Sequence, residues 1–154
     1  MKSKPKSAQQ GLTSVRLVLD TNVVISALLW GGTPHQLLAA AAPGRVELCT
    51  CEELCAELLV VLHRPKFVAQ LRIANTHAAK LVSRYRAICQ LTPLQAPLPK
   101  LCRDPKDDVV LACALAAGAD LIVSGDNELL ALQTYQTIPI LRASEVIKHL
   151  HSLP

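Results

Sequence analysis

Aromatic residues are scarce in this chain of 154 residues, where they make up 3% of the sequence. This scarcity argues against recognition of single-stranded nucleic acid by stacking, because that mode seats bases on aromatic rings. No segment has the roughly 18 consecutive apolar residues that a membrane-spanning helix needs. We therefore expect no membrane partner.

A secretion signal is also lacking, since nothing near the N-terminus has the pattern of a signal peptide. We therefore expect a cytoplasmic protein, and the six cysteines do not predict a disulfide framework. Cys49, Cys51 and Cys55 are close in sequence, but they lack the paired C-x₂-C spacing of structural zinc sites. We interpret them as reduced, mostly buried thiols.

Apolar residues are abundant instead, at 51% of the chain with a mean hydropathy of +0.30. Such a surplus suits helices packed on both faces of a parallel sheet, or an oligomer interface. The net charge of +4, part of which lies at Lys2, Lys4 and Lys6, permits nucleic-acid binding. Ordinary solubility explains this charge equally well.

Strand-like and helix-like segments alternate along the chain. Residues 1–14 are interpreted as a disordered basic tail, and residues 15–151 as a single domain. The predicted strands are Val15–Leu19, Val46–Cys49, Leu121–Val123 and Thr137–Leu141. The predicted helices are Val23–Leu29, Thr33–Ala42, Cys51–His63, Lys66–Ala74, Thr76–Cys89, Asp107–Ala117, Glu128–Leu132 and Ser144–His151. This order predicts a three-layer α/β/α sandwich with a mostly parallel central sheet.

Local signals at the ends of these elements sharpen the prediction. Asp20 ends the first strand, and Thr21 and Asn22 are interpreted as cap and turn residues. Thr50-x-x-Glu53 has the pattern of a capping box, so we expect it to begin the third helix. Residues 90–105 are rich in proline and are predicted to be a long irregular connection.

Six of the twelve acidic residues have a structural explanation in this arrangement, among them Glu47 and Glu145, whose neighbours in sequence are polar. Glu52, Glu53 and Glu128 lie in the first turns of helices, where the helix dipole favours them. Asp120 precedes a strand and so lies at the N-terminal edge of the sheet, away from any site. Open α/β sheets bind ligands at the other edge, where strands end and helices begin.

The acids that remain belong to that other edge. Asp20 and Asp126 each follow a strand, while Asp107 and Asp108 open a helix. Glu57 lies on the border of an apolar helix stripe. Grouped carboxylates raise one another's pKa and need compensation, which a divalent cation supplies. Oxygen ligands favour Mg²⁺ or Mn²⁺, and such an ion can activate water against a phosphoryl group. The alternative is a set of separate surface acids that cap helices or end strands.

Four segments of the chain resemble the PIN-domain nucleases, in particular the branch of toxin–antitoxin toxins related to VapC. The segments are VLDTNVVISALLWGGTP at 18–34, ELCAELLVVLHRPKF at 53–67, CRDPKDDVVLACALAAGADLIVSGDNELL at 102–130, and TIPILRASE at 137–145. The resemblance implies a PIN-like fold and a metal-dependent endoribonuclease that hydrolyses RNA phosphodiester bonds. It also implies RNA as substrate, Mg²⁺ or Mn²⁺ as cofactor, and a cognate antitoxin. Together with the apolar surplus it suggests a homodimer.

The same resemblance assigns metal-binding and catalytic roles to individual residues. The family's acids fall on Asp20, Glu57, Asp108 and Asp126. The third acid precedes an apolar-Ala-x-Ala pattern by three residues, which selects Asp108 over Asp107. His63 departs from the resemblance, since a small polar residue is expected there, and a surface histidine is the favoured interpretation.

Supporting roles are expected for neighbours of the four acids. Asn22 would hold Asp20 or a metal-bound water, and Ser124 would hold Asp126 or contact a substrate phosphate. For Asn22 and Thr21, helix capping is an equal alternative to a role in catalysis or RNA binding. The residues expected near the metal or the RNA backbone are Asp104, Asp107, Arg103 and Lys106, with solvated surface charge as the default for the two basic ones.

Two other functions remain open at this level. One is a non-catalytic PIN-like module that binds RNA or a protein partner, although a complete set of four acids argues against it. The other is a phosphotransfer or phosphatase fold, because such domains also place aspartate at strand ends. The phosphatase version expects a second aspartate at the position of Asn22, and we find no convincing strand-end lysine for a receiver domain.

Overall fold

The computed structural model describes residues 14–152, so the predicted basic tail lies outside the described residues except for Ser14. A six-stranded sheet in the order β3-β2-β1-β4-β6-β5 forms the centre. Its strands are β1 (Val15–Leu19), β2 (Val46–Thr50), β3 (Gln90–Leu91), β4 (Leu121–Val123), β5 (Thr134–Tyr135) and β6 (Ile138–Leu141). Every neighbouring pair is parallel except β5 with β6. The predicted, mostly parallel sheet is confirmed.

Helices cover both faces of this sheet, which confirms the three-layer sandwich. The helices are α1 (Thr21–Leu29), α2 (Thr33–Ala41), α3 (Glu52–Leu62), α4 (Val68–Ile73), α5 (Ala78–Ile88), α6 (Pro105–Ala117), α7 (Asn127–Leu132) and α8 (Ala143–His151), with a 3₁₀ turn at Pro65–Phe67. Apolar residues of α6 and α7 form a core against one face, whereas α1, α2, α3, α5 and α8 share the core on the other.

Strand β1 lies in the middle of the sheet and serves both cores. Leu17 and Leu19 pack into the core with α1 and α3, while Val18 packs into the core with α6, as the alternation of side chains along a strand requires. Arg16 is buried on this central strand. Its Nη1 pairs with Glu47 Oε1 at 3.1 Å, which offsets part of the cost of burying its charge. The Arg16 N–H donates to Asp120 Oδ2 at 2.8 Å, so Asp120 lies at the N-terminal edge, as predicted.

The observed helix starts lie within two residues of the predicted ones, and two of the differences concern how a helix is capped. Helix α1 begins at Thr21 because Asp20 is its N-cap, and Thr21 and Asn22 are therefore helical rather than cap residues. The predicted capping box at Thr50 is wrong, since Cys51 is the N-cap of α3. Thr50 instead extends β2, where it pairs with Leu91 of β3. Strand pairing thus overrides the local capping pattern.

Three further differences come from short elements. The helix predicted at Lys66–Ala74 is divided into the 3₁₀ turn and α4. Strand β3 lies in the connection predicted to be irregular, and it forms because β2 offers it a free edge. The hairpin of β5 with β6 turns at Gln136 and Thr137, whose φ angles of 50° and 69° are positive. Residues other than glycine and asparagine rarely adopt such a turn, so the sequence carries no hairpin signal there.

The structure confirms the prediction made for the cysteines. All six cysteines are free thiols, and Cys49, Cys51 and Cys55 are buried, as predicted. Cys49 and Cys51 belong to the core with α6, and Cys55 to the other core.

Within residues 14–152, no single helix has both the length and the hydropathy of a membrane span. The pair α1 and α2 meets both criteria only when the two helices are counted together, and they are bent by 87° relative to each other.

The paired glycines between α1 and α2 give a stability test. Both are exposed with open space around them, but only Gly32 has a positive φ, of 93°. Gly32 has φ 93° and ψ −159°, a combination that residues with a Cβ rarely adopt, so we expect Gly32→Ala to lower the free energy of unfolding by about 1–3 kcal/mol. Gly31→Ala is the matched control and should be neutral or slightly stabilising. Urea denaturation of both variants measures the difference, and equal effects would contradict the turn geometry.

Candidate functional site

The C-terminal ends of β1 and β4 meet at the point where the strand order reverses. The chain proceeds from β1 to β2 and β3 on one side, then returns to place β4 on the other side of β1. Leu19 pairs with Val123, and the Asp20 N–H donates to Val123 O at 3.0 Å. Asp20 and Asp126 each follow one of these strands, so the crevice that typically binds ligands in α/β sheets is acidic here.

Asp20 is buried and held from two sides. Its Oδ1 accepts the Asn22 N–H at 2.8 Å, and its Oδ2 accepts the Ser124 hydroxyl at 2.6 Å. Ser124 is fully buried, and its Oγ also accepts the Asp126 N–H at 2.9 Å. The Ser124 side chain therefore links the ends of β1 and β4, and it fixes the carboxylate of Asp20 relative to the backbone of Asp126.

Three acids at this edge are helix N-caps. Asp20 caps α1, Asp104 caps α6 and Asp126 caps α7, and each accepts backbone N–H groups of its own helix. Helix N-termini carry partial positive charge, which partly offsets the repulsion between the carboxylates. The capping explanation and the site explanation therefore apply to the same residues, since a capping carboxylate keeps free lone pairs.

Asp107, Asp126 and Glu128 form the tightest acidic group among the described residues. One carboxylate oxygen from each lies within 4.8 Å of the others. Glu128 was explained from the sequence as a first-turn acid of α7, which is true but incomplete. Its position two residues after Asp126 was the available signal, because the N-cap and second residue of one short helix lie close together.

Glu57 joins the group from α3. It is half-buried. Burial raises its pKa, the Thr21 side chain and the charge of Lys106 lower it, and the charges of Asp20 and Asp104 raise it. The residues that the structure brings together at this edge are thus Asp20, Glu57, Asp104, Asp107, Asp126 and Glu128.

Asp108 lies apart from this group. Its side chain is buried, and its Oδ1 accepts the backbone N–H groups of Leu101 at 3.0 Å and Cys102 at 2.9 Å. The structure therefore places Asp107, rather than Asp108, beside the other carboxylates. Successive residues at the start of a helix point about 100° apart, so only one of two adjacent acids can face the crevice.

The other predicted site residues lie at the rim. Asn22 is exposed, and its backbone N–H rather than its amide contacts Asp20. Arg103 and Lys106 are exposed, and their backbone N–H groups donate to Glu128 and Asp104. His63 is exposed, with its Nδ1 at 2.8 Å from Leu59 O. This agrees with the surface interpretation of His63.

Burial and mutual repulsion disfavour ionisation of these acids. Burial raises the pKa of Asp20, with a contribution from the charge of Asp126. Burial also raises the pKa of Glu57. The pKa of Asp107 rises to about 7 through burial and the charges of Asp126 and Asp104, with smaller effects of other acids. The ion pairs that the described residues form, Arg16–Glu47 and Arg86–Glu52, involve none of these carboxylates.

The chemistry of this donor set fits a hard divalent cation. The ligands are all carboxylate oxygens, which favour Mg²⁺ or Mn²⁺ over softer metals. Burial first, and then the charges of Asp126 and Asp104, raise the pKa of Asp107, and no ion pair among the described residues offsets these charges. A cation would remove this deficit, so the arrangement suits a bound ion better than an isolated set of surface acids.

Comparison with known families identifies the fold at the level of sequence. Residues 16–128, which include all of the acids described above, match the profile of the PIN domain family. The chain belongs to the PIN domain family. PIN domains are generally nucleases that use divalent metals, which agrees with the donor set at this edge of the sheet.

A solved structure shares this fold. A chain in the crystal structure of VapBC2 from Rickettsia felis, bound to a DNA fragment from their promoter, superposes with a TM-score of 0.57. The identity is 14%, and the match covers 83% of this PIN-domain chain and 98% of that chain. At this identity the likeness shows the fold alone. The comparison with curated proteins found no significant match.

The raised pKa of Asp107 predicts how stability depends on pH without metal. In the unfolded chain the carboxyl ionises near its ordinary value of 3.8, but in the folded chain near about 7. The folded state thus holds the extra proton between these values, and stability falls as pH rises through that window. Asp107→Asn cannot ionise, so we expect it to gain about 1 kcal/mol at pH 8, after allowance for solvent screening, and little at pH 4.

Thermal unfolding in chelator at the two pH values measures this effect. Glu145→Gln is the control. It removes an exposed carboxylate that accepts the Arg142 N–H in the first turn of α8, so it should lower the unfolding temperature at pH 8, the opposite sign to Asp107→Asn. A shift for Asp107→Asn that is independent of pH would contradict the placement of Asp107 among the other acids.

Proposed function

We propose that this PIN-domain protein is a Mg²⁺- or Mn²⁺-dependent endoribonuclease that hydrolyses RNA phosphodiester bonds. The observation that carries the proposal is the set of carboxylates at the ends of β1 and β4, which includes three oxygens within 4.8 Å and is not neutralised by an ion pair among the described residues. Keeping such a group together without an ion is unfavourable, and a catalytic role gives a reason for it.

Each carboxylate has a proposed role. Asp107, Asp126 and Glu128 would hold the cation, and Asp20 would complete the site with the lone pairs that Ser124 and Asn22 leave free. When bound, the cation supplies Lewis acidity toward water and the phosphoryl oxygens. Glu57, whose raised pKa makes it a better proton acceptor, would take the proton of the attacking water on its carboxylate.

The RNA would approach over the rim of the acidic crevice. Arg103 and Lys106 are exposed there, and their side chains are the proposed contacts to backbone phosphates. Such contacts orient a strand without reading its bases. The choice of RNA over DNA rests on the resemblance to PIN-domain ribonucleases, since the described side chains show no base-stacking platform at this rim.

A non-catalytic binding module is the competing proposal. The carboxylate cluster argues against it, because a module that only binds RNA would be weakened by so many negative charges near the phosphates. The phosphotransfer alternative is set aside, because the chain belongs to the PIN domain family.

We further propose that the protein is the toxin of a toxin–antitoxin system and acts in the cytoplasm with a cognate antitoxin. The sequence resemblance supports this, and the VapBC2 fold neighbour is a complex of that kind. A homodimer is also proposed. Exposed apolar residues, among them Trp30, Val68 and Ile73, supply surface that partner proteins would cover.

Cleavage of RNA is the direct test. Purified protein should cut single-stranded RNA with Mg²⁺ or Mn²⁺ and not with chelator. Asp20→Asn and Asp107→Asn should each lower the rate by about 100-fold or more, because each removes a negative ligand. Asp120→Asn is the matched control at the opposite edge and should stay within about threefold of the unsubstituted protein.

Two outcomes would count against the proposal. Metal-dependent cleavage that survives both substitutions would overturn the residue assignment. Strong RNA binding without cleavage in any divalent ion would favour the non-catalytic module.

Growth of a bacterial host tests the toxin assignment separately. Induced expression should arrest growth, whereas Asp107→Asn, expressed at equal level, should not, since the arrest would require the cation site. Co-expression of the protein from the neighbouring reading frame should restore growth and co-purify with this chain. Unimpaired growth together with RNA cleavage in vitro would reject the toxin role and retain the nuclease.

A further inference from the structure

Three successive backbone N–H groups just before α6 all donate to carboxylates. Leu101 and Cys102 donate to Asp108 Oδ1 at 3.0 and 2.9 Å, and Arg103 donates to Glu128 Oε2 at 2.9 Å. The two acceptors come from different helices, α6 and α7. We call residues 101–103, held in this way, the clamped segment.

Packing alone does not fix the path of this segment. Leu101 is 58% exposed and Arg103 is also exposed, while Cys102 is half-buried against the core with α6. The residues before it, 92–100, have no helix or strand. Hydrogen bonds to charged acceptors, which are stronger than neutral ones, therefore determine where the segment runs.

The clamped segment lies directly beside the carboxylate cluster. Glu128 takes part in both, since it accepts the Arg103 N–H and also has an oxygen close to those of Asp107 and Asp126. Asp104, the next residue, caps α6 and so continues the same edge. The position of the Arg103 backbone is thus set relative to the cluster by Glu128 on one side and Asp108 on the other.

We propose that Asp108 is a positioning residue that holds residues 101–103 so that Arg103 presents its guanidinium to the substrate, and that Asp108 is not a ligand of the cation. The substrate part of this inference rests on the proposed ribonuclease function. The part that concerns Asp108 and the cation does not.

The chemistry of the clamp distinguishes the two roles of Asp108 by substitution. A clamp needs an oxygen that accepts two N–H groups, and the amide oxygen of asparagine supplies one. A cation ligand at this site owes much of its affinity to the negative charge, which asparagine lacks. Asp108→Asn should therefore preserve a clamp but weaken cation binding by a ligand, whereas Asp108→Ala destroys both. Asp107→Asn, at the adjacent residue, is the matched comparison.

Two measurements need no RNA. Mn²⁺ binding, followed by calorimetry, should be unchanged within about threefold in Asp108→Asn and lost in Asp107→Asn. Amide hydrogen exchange resolved to residues 101–103 should show protection in Asp108→Asn and its loss at Leu101 and Cys102 in Asp108→Ala. Loss of Mn²⁺ binding in Asp108→Asn, or full protection in Asp108→Ala, would overturn the proposal.

The KM and kcat of RNA cleavage distinguish positioning of Arg103 by Asp108 from a purely structural role of Asp108. Asp108→Ala should raise KM about fivefold or more with kcat changed less than about threefold, and Asp108→Asn should restore KM. Arg103→Ala should raise KM similarly, and the double variant Asp108→Ala with Arg103→Ala should be no worse than Arg103→Ala alone. Additive losses in the double variant would show that Asp108 does not act through Arg103.

The outcome separates this inference from the proposed function. Absence of RNA cleavage by the unsubstituted protein in Mg²⁺ and Mn²⁺ would reject the nuclease and the substrate role of Arg103. The Mn²⁺ and exchange measurements would still decide whether Asp108 is a clamp or a ligand.

Discussion

The parallel pairing of β1 with β4 is the contact on which the candidate site depends. Leu19 lies beside Val123, and the Asp20 N–H donates to Val123 O, so the two strands end at the same level. Ser124, the first residue beyond β4, then links the carboxylate of Asp20, the first residue beyond β1, to the backbone N–H of Asp126. A shift of register here would separate the two carboxylates and leave the buried Ser124 hydroxyl without its partners. The register of β1 against β4 therefore sets the geometry of the candidate site.

Helix capping and the proposed cation site use the same carboxylates in this fold. Asp20, Asp104 and Asp126 each satisfy backbone N–H groups at a helix start, and such caps contribute about 1 kcal/mol each. The same three helices direct their positive ends to one edge of the sheet, which makes the crowding of acids tolerable. It does not make it favourable, as the raised pKa of Asp107 shows. The remaining imbalance is the physical basis of the cation binding proposed for this site.

The adjacent acids Asp107 and Asp108 show how two identical side chains acquire different surroundings. Asp107 faces the crevice and repels its neighbours, while Asp108 faces inward and receives N–H groups from the preceding segment. A spacing pattern assigns one of them to the family's third acid, but it contains no information about where residues 101–103 run. That path depends on Glu128, which is 25 residues after Arg103 in sequence and belongs to another helix.

The sequence by itself determined the layers, the parallel sheet and the edge at which the acids gather. Burial of apolar strands and the position of acids at strand ends are local properties, so Asp20 and Asp126 could be placed from the sequence alone. Tertiary structure decided which acid of an adjacent pair faces the crevice, that Glu128 joins Asp107 and Asp126, and that Thr50 continues a strand. It also decided the hairpin at Gln136 and Thr137, whose positive φ angles no local residue preference favours. In each case the deciding contact joins residues distant in sequence, or the fold holds the backbone in a conformation that its own residues do not prefer.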